Sequence, residues 1–321
     1  MTWLLTGGAG YIGSHVVRRL LEADEPVVVL DDLSTGHKEA VPDGVEFVHA
    51  QVGDGDAVRA VLRVHDVSGV IHFAAKKSVP ESVADPLLYY EENVGGLVVL
   101  LQSMVAERVH RIVFSSSAAV YGMADSGLVD ERAPTRPENP YGRSKLMCEQ
   151  LLHDAAAAHG LSYVSLRYFN AAGTSEPELV DRGITNLIPL AFRAVSRGEP
   201  PLIYGDDYPT LDGTGVRDFI HVADLADAHL AAARGLEDGL VAATFNVGRG
   251  AGYSVRQVLN MIGDVTGLDA TGRVVDRRLG DPAAVVADVR RIKAALGWTA
   301  SHDLEDMVRS AWDGWLHLGR A

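Results

Sequence analysis

The chain has 321 residues, which is enough for one large or two moderate domains with a buried core. It carries 29 Lys and Arg against 43 Asp and Glu, a formal net charge of −14, which argues against nucleic acid or an anionic membrane as a partner. The single cysteine, Cys148, excludes an intrachain disulfide and favours a reducing compartment, so we expect a cytoplasmic protein. We expect no signal peptide, membrane segment or metal site, because the sequence lacks long apolar stretches and metal-ligand spacing.

The first half of the chain alternates short apolar runs with longer helical patterns. Strands are predicted near residues 3–5, 27–30, 45–48, 70–73, 111–114 and 163–166. Helices are predicted between them near residues 11–23, 54–65, 86–107 and 141–158. Continuously apolar strands that alternate with helices indicate a parallel sheet covered on both faces. The predicted fold class is therefore α/β, with a Rossmann-type doubly wound parallel sheet.

The regular alternation weakens after about residue 170. Gly, Pro and Asp cluster at 172–183 and 198–215, and helical patterns return near 186–197, 222–235, 254–266 and 302–316. We therefore expect a sheet domain over residues 1–170 and a smaller α+β substrate lobe over residues 171–321, with elements partly interleaved.

A glycine-rich turn lies between the first predicted strand and the first predicted helix. The segment 6–13 reads TGGAGYIG, and Gly7, Gly8, Gly10 and Gly13 satisfy two overlapping dinucleotide-binding spacings. Glycines permit a tight turn and let backbone N–H groups approach a pyrophosphate, while the following helix adds its positive dipole end. An ordinary glycine-rich turn is the alternative interpretation.

An acidic pair, Asp31 and Asp32, ends the second predicted strand. Asp31 follows Gly10 by 21 residues, near the spacing of a carboxylate that binds the adenosine ribose. Such a carboxylate repels a 2′-phosphate, and the nearest later cation is Lys38, so the sequence favours NAD over NADP. One of the two aspartates could serve only to cap or solvate the turn.

Serine, tyrosine and lysine side chains provide a candidate acid–base set. Tyr141 and Lys145 are four residues apart at the start of a predicted helix, so they share one face. A cation beside a phenol lowers its pKa toward a value useful for a general base, and a nicotinamide cation would act in the same direction. Ser117 or Ser116, at the end of a predicted strand, could orient a substrate hydroxyl or relay its proton. Chance surface neighbours are the alternative interpretation.

These motifs resemble those of the UDP-glucose 4-epimerases in the extended short-chain dehydrogenase/reductase family. The resemblance runs along nearly the whole chain and is carried by residues 6–15, 115–122, 141–146, 167–170 and 205–222. It implies NAD in residues 1–170 and a UDP-sugar in residues 171–321. It also implies inversion at C4 of a UDP-hexose, UDP-galactose to UDP-glucose, through a transient 4-keto sugar with Tyr141 as base.

The resemblance also implies individual site residues. The catalytic residues are Ser117, Tyr141 and Lys145. The cofactor-binding residues are Gly7, Gly10, Tyr11, Ile12, Gly13, Asp31, Asp32, Gln51, Val52, Phe73, Ala74, Ala75, Lys77, Asn93, Ser115, Tyr141, Lys145 and Tyr168. The substrate-binding residues are Lys77, Ser117, Tyr141, Asn170, Asn186, Leu187, Tyr204, Arg217, Arg278, Asp281 and Val285. The alternatives are a solvated surface position for Arg217 and Arg278, a helix cap or an interhelix hydrogen bond for Asn93, and a charged turn for Lys77.

Two positions depart from the pattern of the family. Gln51 replaces an aspartate that faces the adenine amine, but its amide oxygen can accept the same hydrogen bond. Val285 replaces a bulky tyrosine common in members restricted to glucose and galactose, so the sugar pocket is expected to be larger. UDP-N-acetylhexosamines are therefore possible additional substrates.

Three rival functions remain open from the sequence. A 4,6-dehydratase or decarboxylase would need an acid where Ala118 and Ala119 stand, so it is disfavoured. The sequence poorly distinguishes an epimerase of another nucleotide sugar, such as UDP-glucuronate, from an epimerase of UDP-hexoses. A non-catalytic NAD-sensing module is disfavoured because the chain carries Ser117, Tyr141 and Lys145, whereas a sensor needs no base. We also expect a homodimer that pairs through helices near 86–107 and 141–158.

Overall fold

The computed structural model describes residues 1–123, 127–278 and 280–320. They divide into two compact units. Unit 1 comprises Met1–Gly122, Thr135–Arg167 and Ala226–Phe245, and unit 2 comprises Met123–Pro134, Tyr168–Leu225 and Asn246–Ala321. Within the described ranges, every helix is too short or too polar to cross a membrane.

Strands and helices are numbered here along the described residues. The strands are β1 Thr2–Thr6, β2 Val27–Asp31, β3 Glu46–His49, β4 Val67–His72, β5 Arg111–Ser115, β6 Leu128–Val129, β7 Ser162–Tyr168, β8 Asn170–Ala172, β9 Leu202–Tyr204, β10 Val216–His221, β11 Ala242–Val247, β12 Gly252–Ser254, β13 Arg273–Val275 and β14 Ala284–Ala287. The α-helices are α1 Tyr11–Glu22, α2 Gly55–Val64, α3 Val79–Ala84, α4 Pro86–Tyr89, α5 Gly96–Ala106, α6 Pro140–His159, α7 Leu187–Val195, α8 Val222–Glu237, α9 Val255–Thr266, α10 Arg290–Leu296 and α11 Leu304–His317.

A seven-stranded sheet is built in the order β11-β7-β5-β4-β1-β2-β3. The pairings of β1 with β2 and β4 are parallel, and so are those of β2 with β3, β4 with β5 and β5 with β7. Strand order reverses between β1 and β4, the place where doubly wound sheets bind nucleotides at their carboxyl ends. The predicted Rossmann-type fold class is therefore confirmed.

Burial on both faces explains why these strands read as continuous apolar runs. Leu4 and Leu5 of β1 point to opposite faces, and both are fully buried. On one face Leu4 packs in a core with Leu97 and Leu100 of α5 and Leu152 of α6. Each of the six predicted strands overlaps an observed strand, but β11 was not predicted.

Unit 2 has a smaller, mixed architecture. A five-stranded sheet runs β12-β10-β14-β6, with β8 added to β10, and β13 pairs with β9. The β10–β12 pairing is antiparallel, whereas β10–β14 is parallel. Phe192, Ile262, Val308 and Trp315 contribute to a core built from α7, α9 and α11. The assignment of functions to residues 1–170 and 171–321 stays a prediction.

Candidate active site

The glycine-rich turn joins β1 to α1 in a form that few side chains would allow. Gly7 has a positive φ of 75°, and a β-carbon there would lie 2.6 Å from the Ala74 nitrogen. A β-carbon at Gly13 would lie 2.3 Å from the Gly7 carbonyl oxygen. Gly10 is the N-cap of α1 and has no side chain that could accept hydrogen bonds from the first N–H groups of the helix. These features fit a diphosphate bound by backbone amides at the start of α1, beside Tyr11 and Ile12.

Asp31 fastens this turn to the end of β2. Its Oδ2 accepts a hydrogen bond from the Ala9 nitrogen at 3.0 Å, and its Oδ1 accepts one from the Leu33 nitrogen at 2.8 Å. Burial raises the pKa of Asp31, while these backbone hydrogen bonds oppose the rise. Asp32 is only partly buried and accepts from the Ser34 nitrogen at 2.9 Å. Either carboxylate keeps lone pairs that could accept from a ribose hydroxyl.

The loop after β4 lies against the glycine-rich turn. The Thr6 carbonyl accepts hydrogen bonds from the nitrogens of Phe73 at 2.8 Å and Ala74 at 3.0 Å. The Lys77 ammonium lies 6.0 Å from the centre of the Tyr11 ring. The predicted cofactor residues at 7–13 and 73–77, Ala75 among them, are thus brought together at the carboxyl ends of β1 and β4.

Asn93 holds this loop against α6. Its Oδ1 accepts from the Lys76 nitrogen at 2.7 Å, and its Nδ2 donates to the Lys76 carbonyl at 3.1 Å and the Ser144 hydroxyl at 3.0 Å. The residue is buried in a π-helical turn, Tyr90–Gly95. Both amide hydrogens are therefore engaged within the protein, which supports a positioning role. Contact between Asn93 and the cofactor stays a prediction.

Ser117, Tyr141 and Lys145 converge at the carboxyl end of β5. Tyr141 and Lys145 lie on α6 and are nearly fully buried. Tyr141 shares a hydrogen bond with Ser117. The Lys145 Nζ donates to the Ser115 carbonyl at 2.9 Å and lies 5.0 Å from the centre of the Phe114 ring. A phenol, a hydroxyl and an ammonium are thus gathered in one small region of unit 1.

The pKa of Tyr141 corrects one expectation. Burial raises it above the ordinary tyrosine value, and the hydrogen bond with Ser117 opposes that rise. The lowering of the Tyr141 pKa that was expected beside Lys145 is therefore not seen for the protein side chains by themselves. Burial lowers the pKa of Lys145 to about 8, which still leaves the ammonium mostly protonated at neutral pH. The positive charge of an oxidised nicotinamide is the remaining influence that could favour the phenolate.

Three buried polar residues next to this region were not predicted as site residues. The Ser115 hydroxyl lies 2.9 Å from Nε2 of His229 on α8. Glu149, one turn beyond Lys145 on α6, binds the Ser116 hydroxyl and pairs with Arg167 on β7. The spacing of Lys145 and Glu149 on one helix face could have pointed to Glu149, whereas His229 and Arg167 arrive from distant segments.

In unit 2, Arg217 and Val285 are register partners on the neighbouring parallel strands β10 and β14. The Arg217 guanidinium donates to the Val216 carbonyl at 2.8 Å and forms a close ion pair with Asp281. Its side chain is 21% exposed, so it remains accessible to solvent. Three predicted substrate residues therefore lie together.

Other predicted substrate residues lie in the same unit. The Arg278 guanidinium stacks 3.8 Å from the centre of the Tyr204 ring, and the Arg278 carbonyl accepts from the Asp281 nitrogen at 3.3 Å. Asn170 on β8 donates to the Asp218 carbonyl at 2.8 Å. The other predicted residues are placed singly: Asn186 and Leu187 at the start of α7, Tyr168 at the end of β7, exposed Gln51 and buried Val52 before α2.

A doubly wound sheet, a glycine-rich turn between β1 and α1, and a buried Ser–Tyr–Lys set define an NAD-dependent enzyme of the short-chain dehydrogenase/reductase type. A family model for the NAD dependent epimerase/dehydratase family matches residues 3–248. The chain belongs to this family, and the expected resemblance is confirmed.

The similar proteins carry a more particular description. A UDP-glucose 4-epimerase of Azospirillum brasilense is 47% identical over 96% of this chain and 90% of its own. A solved UDP-glucose-4-epimerase from Stenotrophomonas maltophila, with bound NAD and formylated UDP-arabinopyranose, is 41% identical, covers 100% of this chain and 99% of its own, and has a TM-score of 0.95. The UDP-Glc/GlcNAc 4-epimerase of Campylobacter jejuni is 38% identical, covers 98% of this chain and 99% of its own, and has a TM-score of 0.88.

Proposed function

We propose that this protein inverts C4 of UDP-hexoses, converting UDP-galactose to UDP-glucose with NAD as cofactor. Full-length similarity to UDP-glucose 4-epimerases confirms the expected activity and cofactor. The observation in the structure that best supports it is the buried Tyr141, hydrogen-bonded to Ser117 at the carboxyl end of the sheet.

Each part of unit 1 has a chemical task in this reaction. The glycine-rich turn and the start of α1 hold the diphosphate of NAD, and Asp31 or Asp32 accepts from its adenosine ribose. Bound there, NAD would supply the acceptor and later the donor of the hydride at C4 of the sugar. Tyr141 takes the proton of the 4-hydroxyl and later returns it, while Ser117 orients that hydroxyl. The buried Lys145 ammonium donates to the Ser115 carbonyl, and the positive charge of the oxidised nicotinamide would favour the phenolate.

In unit 2, Arg217 and Arg278 are assigned to the diphosphate of the UDP-sugar. Guanidinium groups suit phosphate oxygens because their forked N–H donors match them. Asp281 pairs with the Arg217 guanidinium, and the Tyr204 ring stacks on the Arg278 guanidinium. Asn170, Asn186 and Leu187 complete the assigned contacts with the nucleotide.

The direct test is incubation of purified protein with UDP-galactose and no added cofactor, followed by measurement of UDP-glucose. Conversion supports both the reaction and the retention of NAD through purification. Conversion only after addition of NAD supports the reaction and contradicts tight retention. If UDP-galactose stays unchanged with NAD present, the proposed function is wrong, and UDP-glucuronate becomes the next substrate to assay.

Val285 supports a broader substrate range that includes UDP-N-acetylhexosamines. It lies beside Arg217 in the sheet of unit 2, and valine fills less space than tyrosine. The test compares UDP-galactose and UDP-N-acetylglucosamine for the wild type and for Val285→Tyr. The variant should lose the second activity and keep the first. A wild type that rapidly converts UDP-galactose but not UDP-N-acetylglucosamine would contradict the broader range.

A homodimer is the expected assembly. Leu87 on α4 and Met147 on α6 are 75% and 41% exposed, which leaves apolar surface in the helical region predicted to pair. Light scattering should give twice the chain mass, and Leu87→Glu together with Met147→Glu should give one chain mass. A monomeric wild type would refute the dimer. The cytoplasmic location expected from the single cysteine also stays a prediction.

A further inference from the structure

We propose that Glu149 and Arg167 form a buried ion pair that positions the end of β5, residues 115–117, against Tyr141 and Lys145. This role rests on the function proposed above and adds two positioning residues to it. Neither residue needs to touch the substrate or NAD, since both would act through the serines.

Glu149 lies on the same face of α6 as the two catalytic side chains. It follows Lys145 by four residues and Tyr141 by eight, which aligns the three side chains along the helix. Its Oε1 accepts a hydrogen bond from the Ser116 hydroxyl. The carboxylate therefore connects α6 directly to the end of β5.

Arg167 holds this carboxylate from the neighbouring strand β7. Its Nε donates to Oε1 of Glu149 at 2.9 Å, and its Nη2 donates to Oε2 at 2.6 Å, a forked arrangement that fixes the carboxylate plane. Its Nη1 donates to the Tyr121 hydroxyl at 3.0 Å. The side chains of Arg167 and Glu149 are only 8% and 9% exposed. The network thus ties α6, β7 and the segment after β5 together.

Ser116 connects this network to the partners of the two catalytic side chains, Tyr141 and Lys145. The carbonyl of the preceding Ser115 accepts from Lys145 at 2.9 Å, and the following Ser117 hydrogen-bonds Tyr141. A shift of Ser116 would therefore move the partners of both catalytic side chains at once. Displacements of about 1 Å in such sites can cost about a hundredfold in rate.

Stability alone is a weak reason for this ion pair. Replacing a buried ion pair by apolar residues of similar volume is often neutral or stabilising, because desolvation offsets the attraction. A fully hydrogen-bonded buried network can instead specify one geometry. Here the geometry that it specifies is that of residues 115–117.

The network also has an electrostatic effect on Lys145. Burial lowers the pKa of Lys145, and the negative charge of Glu149 opposes that lowering. Among the described residues, His72, Cys148 and Glu149 interact electrostatically with Lys145, and Tyr163 and Arg167 interact with Glu149. His72 is buried and its pKa is lowered to about 3, while burial raises the pKa of Cys148 to about 12, so both are neutral near pH 7. Glu149 is then the charged group that acts on Lys145, and Arg167 is its ion-pair partner.

The experiment compares Ser116→Ala, Glu149→Gln and Arg167→Lys with the wild type. UDP-galactose conversion is measured from about pH 6 to about pH 10, because the alkaline limb reports the ammonium of Lys145. We expect kcat to fall about ten- to a hundredfold in all three variants, with KM changed less than about threefold. In Glu149→Gln the alkaline limb moves to lower pH, because the negative charge that opposes the lowering of the Lys145 pKa is removed. In Ser116→Ala and Arg167→Lys the limb stays in place, since the ionic charges remain.

Hydrogen exchange provides a readout that is independent of turnover. Amide exchange in residues 114–122 should quicken about tenfold or more in Glu149→Gln and Ser116→Ala. Unchanged kcat and exchange in the mild variant Ser116→Ala would overturn the proposal, even if the charge variants fail to fold. A lower melting temperature with an unmoved pH limb in Glu149→Gln would also overturn it, leaving only a structural role. An inactive wild type would instead contradict the proposed function, and exchange would still test the positioning.

Discussion

Replacement of Tyr141 by phenylalanine tests the assignment of the base most directly. Tyr141 is 7% exposed, and the change removes its hydroxyl but keeps the ring, which packs edge-on against Tyr89 at 6.4 Å. Ser117 keeps its hydrogen bond from the Ala119 nitrogen at 3.1 Å. The lost hydrogen bond with Ser117 is worth about 1 kcal/mol, so Tyr141→Phe should fold and keep its NAD.

The expected loss of activity is much larger than the loss of stability. A positioned general base contributes about 10²- to 10⁴-fold to the rate, which is about 3 to 5 kcal/mol of activation free energy. The assay measures kcat for UDP-galactose, the NAD released on denaturation, and the melting temperature. We expect kcat to fall by at least about a hundredfold with unchanged NAD content.

Tyr89→Phe is the matched control. The single Tyr89 hydroxyl hydrogen is shared between the Ser78 carbonyl at 2.7 Å and the Glu81 carboxylate at 2.8 Å, so the control gives up one shared, partly buried hydrogen bond. It should cost about 1 to 2 kcal/mol of stability and less than about tenfold in kcat. The two variants should thus lose similar amounts of stability, whereas only Tyr141→Phe should lose most of its activity. If Tyr141→Phe keeps more than about a tenth of wild-type kcat, another group is the base.

Three further predictions concern cofactor binding, substrate binding and pH. Gly13→Ala places its β-carbon 2.3 Å from a backbone oxygen of the same turn. It should therefore lower stability by about 1–3 kcal/mol and reduce the NAD content. The control Gly53→Ala adds its β-carbon in open space and should do neither. Arg217→Met should raise KM for UDP-galactose about ten- to a hundredfold in steady-state kinetics, and Arg277→Met less than about threefold; equal effects would contradict the assignment. Burial lowers the pKa of His221 from 6.5 to about 4 in the folded protein, so the unfolded chain binds the proton first and stability falls as pH drops from 6.5 toward 4. That fall, up to about 3 kcal/mol, should flatten in melting curves of His221→Asn, and equal slopes would refute it.

Local patterns in the sequence determined the main sheet and its nucleotide-binding turn. Strands β1 to β5 and β7 were readable because each is buried on both faces and therefore continuously apolar. The glycines at 7, 10 and 13 were readable because a turn this tight excludes side chains at two of them. The spacing of Tyr141 and Lys145 placed both on one helix face for the same local reason.

Only the tertiary structure decided which distant groups surround these side chains. Strand β11, from a segment late in the chain, pairs with β7 in the sheet. The sequence of its six residues does not indicate which strand it pairs with. Arg167 meets Glu149, and Arg217 meets Asp281, across separations that no periodicity encodes. Burial raises the pKa of Tyr141, although the neighbouring lysine in the sequence suggested the opposite. Desolvation and charge pairing depend on everything packed around a group, so they become defined only when the chain has folded.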